Sequence, residues 1–563
     1  MTASANASTG NIAASLSFMA SRHPDRPAIH CPVGRDAVGV AIYKTLSYAE
    51  LEHEVGIVAS GLIAYGIGPG VRTALMVRPS IELFVLMFAL FRAGAVPILI
   101  DPGIDRRALR QSLNEARPQA FIGVPMAHVG RVLLGWGRDS IQQRITVNGS
   151  RLFWGGALYE QIRALGDKHG PVPPAAMASD ALAAILFTSG ATGAPKGVEY
   201  QHRHFLAQII AIRAAFRIEP GEIDLPTFPP FALFDPALGM TSVIPDMDPT
   251  KPGSVDPVKL VNTIEKYGVT TLFGSPALVD VLANYGAASG KRLAGVRRVI
   301  SAGAPVTPKT VQRLRSMLPE DAEIFTPYGA TECLPVCTIE SREILALAER
   351  TNRGEGICVG KPLPANQVRL VKVTDEAIDA FGPATDVLPG AIGEIVVSGP
   401  TTTEAYFARA SATRLAKIVH AGRVWHRMGD VGYFDAQGRL WYAGRKAHRV
   451  ETGNGVFYPE IVEGVFNVHP KVRRTALVGV RVHGKAVPGI CVELAQEVST
   501  AEWKRIRFEL RDLSLRNEAT SVIRHYWRHP GFPVDIRHNA KIDRLALAQW
   551  AAKRADKADL GLT

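Results

Sequence analysis

Cysteine is scarce. The five cysteines among 563 residues, Cys31, Cys333, Cys337, Cys358 and Cys491, are scattered and odd in number. They make no disulfide framework and point to a reducing compartment. Cys333 and Cys337 have no second Cys or His pair nearby, so zinc spacing is missing too. Long hydrophobic runs are also lacking. The best stretch, residues 81–100, is interrupted by Glu82, Arg92, Gly94 and Pro97. It reads as a buried helix, Ile81 to Arg92, and then a strand, rather than a transmembrane segment. Residues 1–15 carry neither a basic start nor an apolar core, so no signal peptide is expected and a cytoplasmic location is. There is no internal repeat, low-complexity tract, zinc-finger spacing or RNA-binding signature, so nucleic acid is not an expected partner. Acidic residues are outnumbered: 52 Asp and Glu against 64 Lys and Arg leave a net charge of +12. That balance suits anionic ligands such as nucleotides, or acidic membrane surfaces. With 47% apolar and 21% charged residues the chain is globular. Its length alone allows about four ordinary domains.

What is present is most concentrated between residues 181 and 200. An apolar strand over 181–187 breaks into Thr188, Ser189, Gly190, Ala191, Thr192 and Gly193. Three hydroxyls and two glycines build no core. They do build a phosphate cradle, because glycines let backbone N–H groups turn toward an anion and hydroxyls add donors. Lys196 adds a compact positive charge. The order is not that of a Walker A loop: Pro195 precedes the lysine and Gly197 follows it.

Alternating helices and apolar strands predict a doubly wound α/β architecture. Ser47 and Glu50 form a capping-box pair at a helix start. Gly66, Gly68 and Gly70 make a turn before a strand over 73–77, and residues 95–100 form another strand. The middle third repeats a strand followed by a small or polar loop: 269–273 into Gly274-Ser275-Pro276, 299–300 into Ser301 to Pro305, and 323–325 into Thr326 to Glu332. In open α/β sheets ligands bind beyond the carboxyl ends of strands, so three such loops line one crevice. A composition change at Gly444-Arg445 places a domain boundary there, leaving about 120 residues for a small α+β domain.

The ten-residue order around Thr188 to Lys196 resembles the signature loop of the adenylate-forming superfamily: acyl-CoA synthetases, peptide-synthetase adenylation domains and luciferases. The resemblance implies that the loop, with Thr188, Ser189, Gly190, Thr192, Gly193 and Lys196, holds the β- and γ-phosphates of ATP. Tyr328-Gly329-Ala330-Thr331-Glu332 matches a second motif of that superfamily. It implies adenine against Tyr328 and Gly329, the α-phosphate at Thr331, and Mg²⁺ at Glu332 with Thr188. Gly303, Ala304 and Pro305 are expected beside the adenine. Trp425-His426-Arg427-Met428-Gly429-Asp430 matches a third motif, in which Asp430 accepts from two ribose hydroxyls. Arg445 supplies a further nucleotide contact by the same resemblance. His538-Asn539-Ala540-Lys541-Ile542-Asp543-Arg544 resembles the catalytic-lysine motif, with Asn539-Ala540 in place of the usual Thr-Gly. Lys541 would bridge the substrate carboxylate and the α-phosphate. Together these imply a large N-terminal domain of doubly wound sheets, residues 1–444, a smaller mobile α+β domain, residues 445–563, and carboxylate activation as acyl-AMP.

Two stretches depart from the superfamily pattern. Its hinge position, usually Asp or Lys, is Ala447, and the turn Glu451 to Gly455 replaces a stretch that in acyl-CoA members helps form the thiol channel. Phe228, Phe231 and Phe234 stand where acyl-CoA synthetases often carry a His-containing stretch. In these respects the chain is similar to the β-lactone-forming branch that serves olefin biosynthesis. That implies a long-chain 2-alkyl-3-hydroxy acid substrate in an acyl pocket at Phe231, Phe234 and Ser275, with the substrate's own 3-hydroxyl displacing AMP to close a β-lactone. It also implies assembly with a reductase and a β-lactone decarboxylase of the olefin pathway. The alternatives are a long-chain fatty acyl-CoA synthetase and a non-catalytic ATP-binding protein. His202, His204 and His448 are candidate bases for the hydroxyl proton.

Overall fold

The computed structural model describes residues 10–100, 104–188, 195–534 and 542–558. Two large sheets sandwich most of the apolar chain. In the first, seven strands run in the order Ala157–Leu158, Gln143–Thr146, Ala120–Gly123, Arg72–Met76, Val96–Leu99, Leu182–Phe187 and Gly197–Gln201. All neighbours are parallel except the last pair. The expected strands at 73–77, 95–100 and 181–187 are all here.

Helix Ile81–Arg92 has the bounds the sequence predicts. Leu83 through Arg92 are buried without a break, because the helix lies inside the main core rather than on its surface. That explains an apolar run too broken for a membrane. Among the described residues no helix is long and apolar enough to cross one. Helix Tyr48–Ala64 begins with the expected capping box: Glu50 N–H donates to Ser47 Oγ at 3.2 Å, and Ser47 N–H donates to Glu50 Oε2 at 2.7 Å.

The second sheet has fourteen strands. One part is parallel: Thr241–Val243, Ile223–Pro226, Thr271–Gly274, Arg298–Ser301 and Glu323–Ala330. The three strand-then-loop units predicted in the middle third are adjacent here, with Phe273, Ile300 and Phe325 in register. Their following segments therefore leave one edge. From Glu323–Ala330 onward the pairing turns antiparallel, through Cys333–Glu340 and Ile357–Pro362 to Leu440–Arg445, Arg423–Phe434 and Gly393–Ser398. Residues 326–330, expected as loop, continue the strand because Cys333–Glu340 folds back beside them.

Beyond Arg445 the chain makes a two-stranded ribbon, Val450–Thr452 with Gly455–Phe457, turning at the predicted Gly453-Asn454. A three-stranded sheet follows: Val472–Val482, Lys485–Leu494 and His525–Arg528. Its core divides into two clusters, one containing Val462 and Phe466 of helix Pro459–Asn467 with Ile506 and Leu510 of helix Thr500–Leu515, the other Leu547 and Ala551 of helix Arg544–Ala558. Helix Pro459–Asn467 meets the large body closely. A Cβ on Gly464 would lie 2.4 Å from the Thr351 carbonyl oxygen, so the packing requires glycine. A cleft of about 2810 Å³ opens between this part and the second sheet.

Candidate active site

Strand Leu182–Phe187 delivers Thr188 to the start of the predicted phosphate loop, and strand Gly197–Gln201 begins just past its end. The two ends are pinched together. Thr188 N–H donates to the Lys196 carbonyl at 3.0 Å, and Lys196 N–H donates to Thr188 Oγ1 at 3.4 Å. Of the loop itself, Ser189, Gly190, Thr192 and Gly193 lie outside the described residues, as does Lys541. The Lys196 ammonium lies 4.7 Å from the centroid of the Tyr406 ring.

The Tyr328 to Glu332 motif occupies a tight antiparallel reversal. The pairing slips between Tyr328 and Ala330. A Cβ on Gly329 would come within 2.8 Å of Leu334 Cβ, so the glycine is sterically required. Tyr328 donates its hydroxyl proton to Asp430 Oδ2 at 2.7 Å. Asp430 and Arg445 face each other across paired strands, with Arg445 Nη1 3.2 Å from Asp430 Oδ1. The same guanidinium donates to the Met428 carbonyl. The Asp430 charge raises the Arg445 pKa, and burial, then Asp430, raises that of Tyr328. Three residues predicted from separate motifs thus form one network at the wall of the interdomain cleft, beside the Tyr442 ring at 6.2 Å from Tyr328. Gly303, Ala304 and Pro305 line the same cleft. Gly303 has φ of +101°, a conformation that favours glycine.

The third motif also carries structure. Its Arg427 is buried against Glu394 and donates to the carbonyls of Thr374, Glu376 and Leu415. Glu394 in turn receives Lys446, and Arg449 pairs with Asp375 at 2.9 Å. Both neighbours of the Ala447–His448 turn are therefore tied to the large body.

Around Thr331 and Glu332 the structure adds residues that motif reading missed. The Thr331 carbonyl accepts from the buried Tyr200 hydroxyl at 2.5 Å. The Glu332 carbonyl accepts from Thr403 N–H at 2.9 Å and Thr403 Oγ1 at 3.0 Å. The Glu332 carboxylate accepts from the Tyr406 hydroxyl at 2.6 Å. Buried Lys417 donates to the Thr403 carbonyl at 2.5 Å and to its hydroxyl at 3.2 Å, and burial pushes its pKa down to about 8. The available sequence signal was the polar run Thr401-Thr402-Thr403-Glu404 inside an otherwise apolar region.

A divalent cation fits here only with help from its substrate. Among the described residues no three His, Cys, Asp or Glu side chains cluster as a metal site. One carboxylate plus phosphate oxygens is, however, an ordinary Mg²⁺ arrangement, and Glu332 offers that carboxylate.

In the expected acyl region Phe231 stacks on Phe273, with ring centroids 3.6 Å apart and planes 5° apart. Phe234 follows at 6.1 Å from Phe231. The Ser275 hydroxyl caps helix Pro276–Ser289, accepting from Leu278 N–H. The candidate bases differ. His202 Nδ1 accepts from Ile12 N–H, and His204 Nδ1 from Gln201 N–H. Burial pushes both down to about 4. They serve as structural acceptors. His448 lines the cleft but is also pushed to about 4, by burial and then by Arg544 and Arg445. Arg544, predicted only as context for Lys541, forms a two-pronged pair with Glu463 at 2.5 and 3.0 Å.

A family model described as AMP-binding enzyme matches residues 17–407. The chain belongs to the AMP-binding enzyme family. It is accordingly an ATP-dependent, AMP-forming enzyme. An olefin beta-lactone synthetase from Xanthomonas campestris pv. campestris is 55% identical over 550 residues, covering 97% of this chain and 98% of that protein. A second, from Stenotrophomonas maltophilia, is 52% identical over 97% of this chain and 99% of its own length. Among solved structures, the amide bond synthetase McbA from Marinactinospora thermotolerans superposes with a TM-score of 0.77 at 22% identity, covering 96% of this chain and 99% of that one. That likeness extends the AMP-binding fold across both parts of the molecule.

Proposed function

We propose that this AMP-binding enzyme is a β-lactone synthetase of long-chain olefin biosynthesis. A 2-alkyl-3-hydroxy acid attacks the α-phosphate of ATP through its carboxylate, releasing pyrophosphate and leaving an acyl-AMP. The acid's own 3-hydroxyl oxygen then bonds to the acyl carbon. AMP leaves with the electron pair, and the hydroxyl proton is lost to solvent or to the departing phosphate. Holding the nucleophile in the same molecule supplies up to about 7–11 kcal/mol of proximity advantage, offset by the strain of a four-membered ring.

One observation carries this reading: the 55% identity to an olefin beta-lactone synthetase runs over 97% of the chain, well past residue 407, where the family match ends. The aligned span therefore takes in the region of Ala447 and the turn at Glu451 to Gly455. In this reading residues 1–444 form the adenylating body and residues 445–563 the small domain that brings Lys541 to the reaction. The loop at Thr188 to Lys196 holds the phosphates; Tyr328, Asp430 and Arg445 hold the nucleoside. Glu332, with Thr188, would hold Mg²⁺, which neutralises phosphate charge when bound. Phe231, Phe234 and Ser275 border the acyl chain. The enzyme works in the cytoplasm between a reductase that supplies the hydroxy acid and a β-lactone decarboxylase.

The deciding experiment is mass spectrometry of products from ATP, Mg²⁺ and a synthetic 2-alkyl-3-hydroxy acid, with and without CoA. A β-lactone formed equally in both supports the proposal. A CoA-dependent thioester would make the chain an acyl-CoA synthetase. No pyrophosphate release would make it a non-catalytic nucleotide binder.

A further inference from the structure

Residues 403–407 run as a strap between the two sheets. On one side Thr403 donates twice to the Glu332 carbonyl. On the other, Glu199 N–H donates to the Ala405 carbonyl at 3.1 Å and Phe407 N–H donates to the Gly197 carbonyl at 2.7 Å. Tyr406 is bridged to Val198 between these two bonds. Its backbone is thus fixed on both sides, and it is 4% exposed. The side chain faces two charges. Its ring meets the Lys196 ammonium at 4.7 Å, and its hydroxyl donates to Glu332 Oε1 at 2.6 Å. Lys417 anchors the strap from behind through Thr403 and lies 5.9 Å from the same ring.

A phenol is an unusual choice of partner for a carboxylate. An arginine or lysine in its place would cancel the negative charge. A phenol near pH 7 is neutral and donates one proton. It occupies a lone pair on one oxygen, fixes the carboxylate plane and leaves the charge intact. The ring face attracts the ammonium by its quadrupole without neutralising it. Lys196 and Glu332 therefore share a partner and keep their own charges for a ligand.

We propose that Tyr406 is a positioning residue for the adenylation step: it orients Glu332 as an ionised ligand for the divalent cation and steers Lys196 toward the nucleotide phosphates. This rests on the reading of Glu332 above.

Tyr406→Phe removes one hydroxyl and keeps the ring. The expected result is a ten- to hundredfold weaker apparent Mg²⁺ affinity in pyrophosphate release, the usual scale for a hydrogen bond to a charged group. Turnover should recover at saturating Mg²⁺, and the melting temperature should stay within a degree or two. Binding gives a second readout: calorimetry with a non-hydrolysable ATP analogue, with Mg²⁺ and without. Tyr406→Phe should weaken the Mg²⁺-dependent part alone, whereas Tyr406→Leu should weaken analogue binding in the absence of metal as well. Glu332→Gln and the double variant complete the cycle. If Tyr406 acts through Glu332, the double variant binds the metal complex no worse than Glu332→Gln. Additive losses would overturn the proposal. So would an unchanged Mg²⁺ titration in Tyr406→Phe alongside a shifted one in Glu332→Gln. An unchanged titration in Glu332→Gln itself would instead overturn the assignment of the metal carboxylate, and this proposal with it.

Discussion

Tyr328 donates its hydroxyl proton to Asp430 at 2.7 Å across 102 residues of chain. With Arg445 on the far side of the carboxylate, Asp430 is held from two sides, as the proposed ribose site requires. Asp430→Asn should weaken AMP binding by about two orders of magnitude, since it leaves Arg445 without its charge partner. Tyr328→Phe should cost less, about tenfold to thirtyfold, the lower part of the range for a hydrogen bond to a charged group. Calorimetric titration with AMP measures both. Equal affinities in wild type and Asp430→Asn would remove this network from nucleotide binding.

In the proposed mechanism Lys541 supplies the positive charge that the adenylation step needs. Lys541→Ala should slow pyrophosphate release from the hydroxy acid and ATP by about a hundredfold or more. AMP binding should change little. A variant with the wild-type rate would exclude Lys541 from the mechanism.

Arg544 was legible only as a neighbour of that lysine, yet it joins helix Arg544–Ala558 to Glu463 of helix Pro459–Asn467 and to the Leu477 carbonyl. Removing one member of a buried pair strands the other charge. Arg544→Met should therefore destabilise the small domain by about 3–5 kcal/mol. Urea unfolding followed by the fluorescence of Trp527 and Trp550, both in that domain, reads this; an unchanged midpoint would refute it.

Acid should destabilise the large domain through neutral buried histidines. His128, His202 and His204 are all pushed down to about 4 by burial, against an ordinary 6.5 in the unfolded chain. Between those values the unfolded state binds more protons. Stability therefore rises with pH from about 4 to 6.5 and falls as pH is lowered through that window. Each histidine contributes at most about 3 kcal/mol of loss by pH 4. His202→Gln should flatten the curve of unfolding free energy against pH. A curve as steep as wild type would show that His202 is charged in the folded protein.

Local patterns in the sequence were sufficient for three strands of the first sheet, at 73–77, 95–100 and 181–187, and for the capping box at Ser47 and helix Ile81–Arg92, because each depends on neighbours within a few residues. The order Tyr328 to Glu332 was likewise readable, but its strand geometry was not: it depends on Cys333–Glu340 folding back. Tyr200, Thr403, Tyr406 and Lys417 escaped notice for a similar reason. Tyr200, Thr403 and Tyr406 reach Thr331 and Glu332 from 71 to 131 residues away, Lys417 acts through Thr403, and nothing in a local spacing encodes such contacts. His202 and His204 looked like candidate bases until their ring nitrogens were seen to accept backbone N–H groups.

A substrate lacking the 3-hydroxyl separates the two half-reactions. Offered a 2-alkyl acid without it, the enzyme should release one equivalent of pyrophosphate and hold acyl-AMP. Rapid-quench analysis would detect that stalled adenylate. Ala447→Asp should produce no thioester when CoA is added, because Glu451 to Gly455 also differ from a thiol channel. Multiple turnovers with the deoxy acid would show that water or another nucleophile completes the reaction.

The strap of residues 403–407 is made long after the two groups it unites. Lys196 and Glu332 both leave the ribosome well before Tyr406 does. Until the strap inserts beside strand Gly197–Gln201, the two sheets are tied at this point by the Tyr200 hydroxyl on the Thr331 carbonyl, while Lys196 and Glu332 lack the Tyr406 side chain that lies against both. A nascent chain or a truncated product ending before residue 403 therefore holds the first two nucleotide motifs but neither the strap nor Asp430, Arg445 and Lys541. In the proposed mechanism acyl adenylates, which hydrolyse and acylate bystanders when released, therefore await both this strap and Lys541.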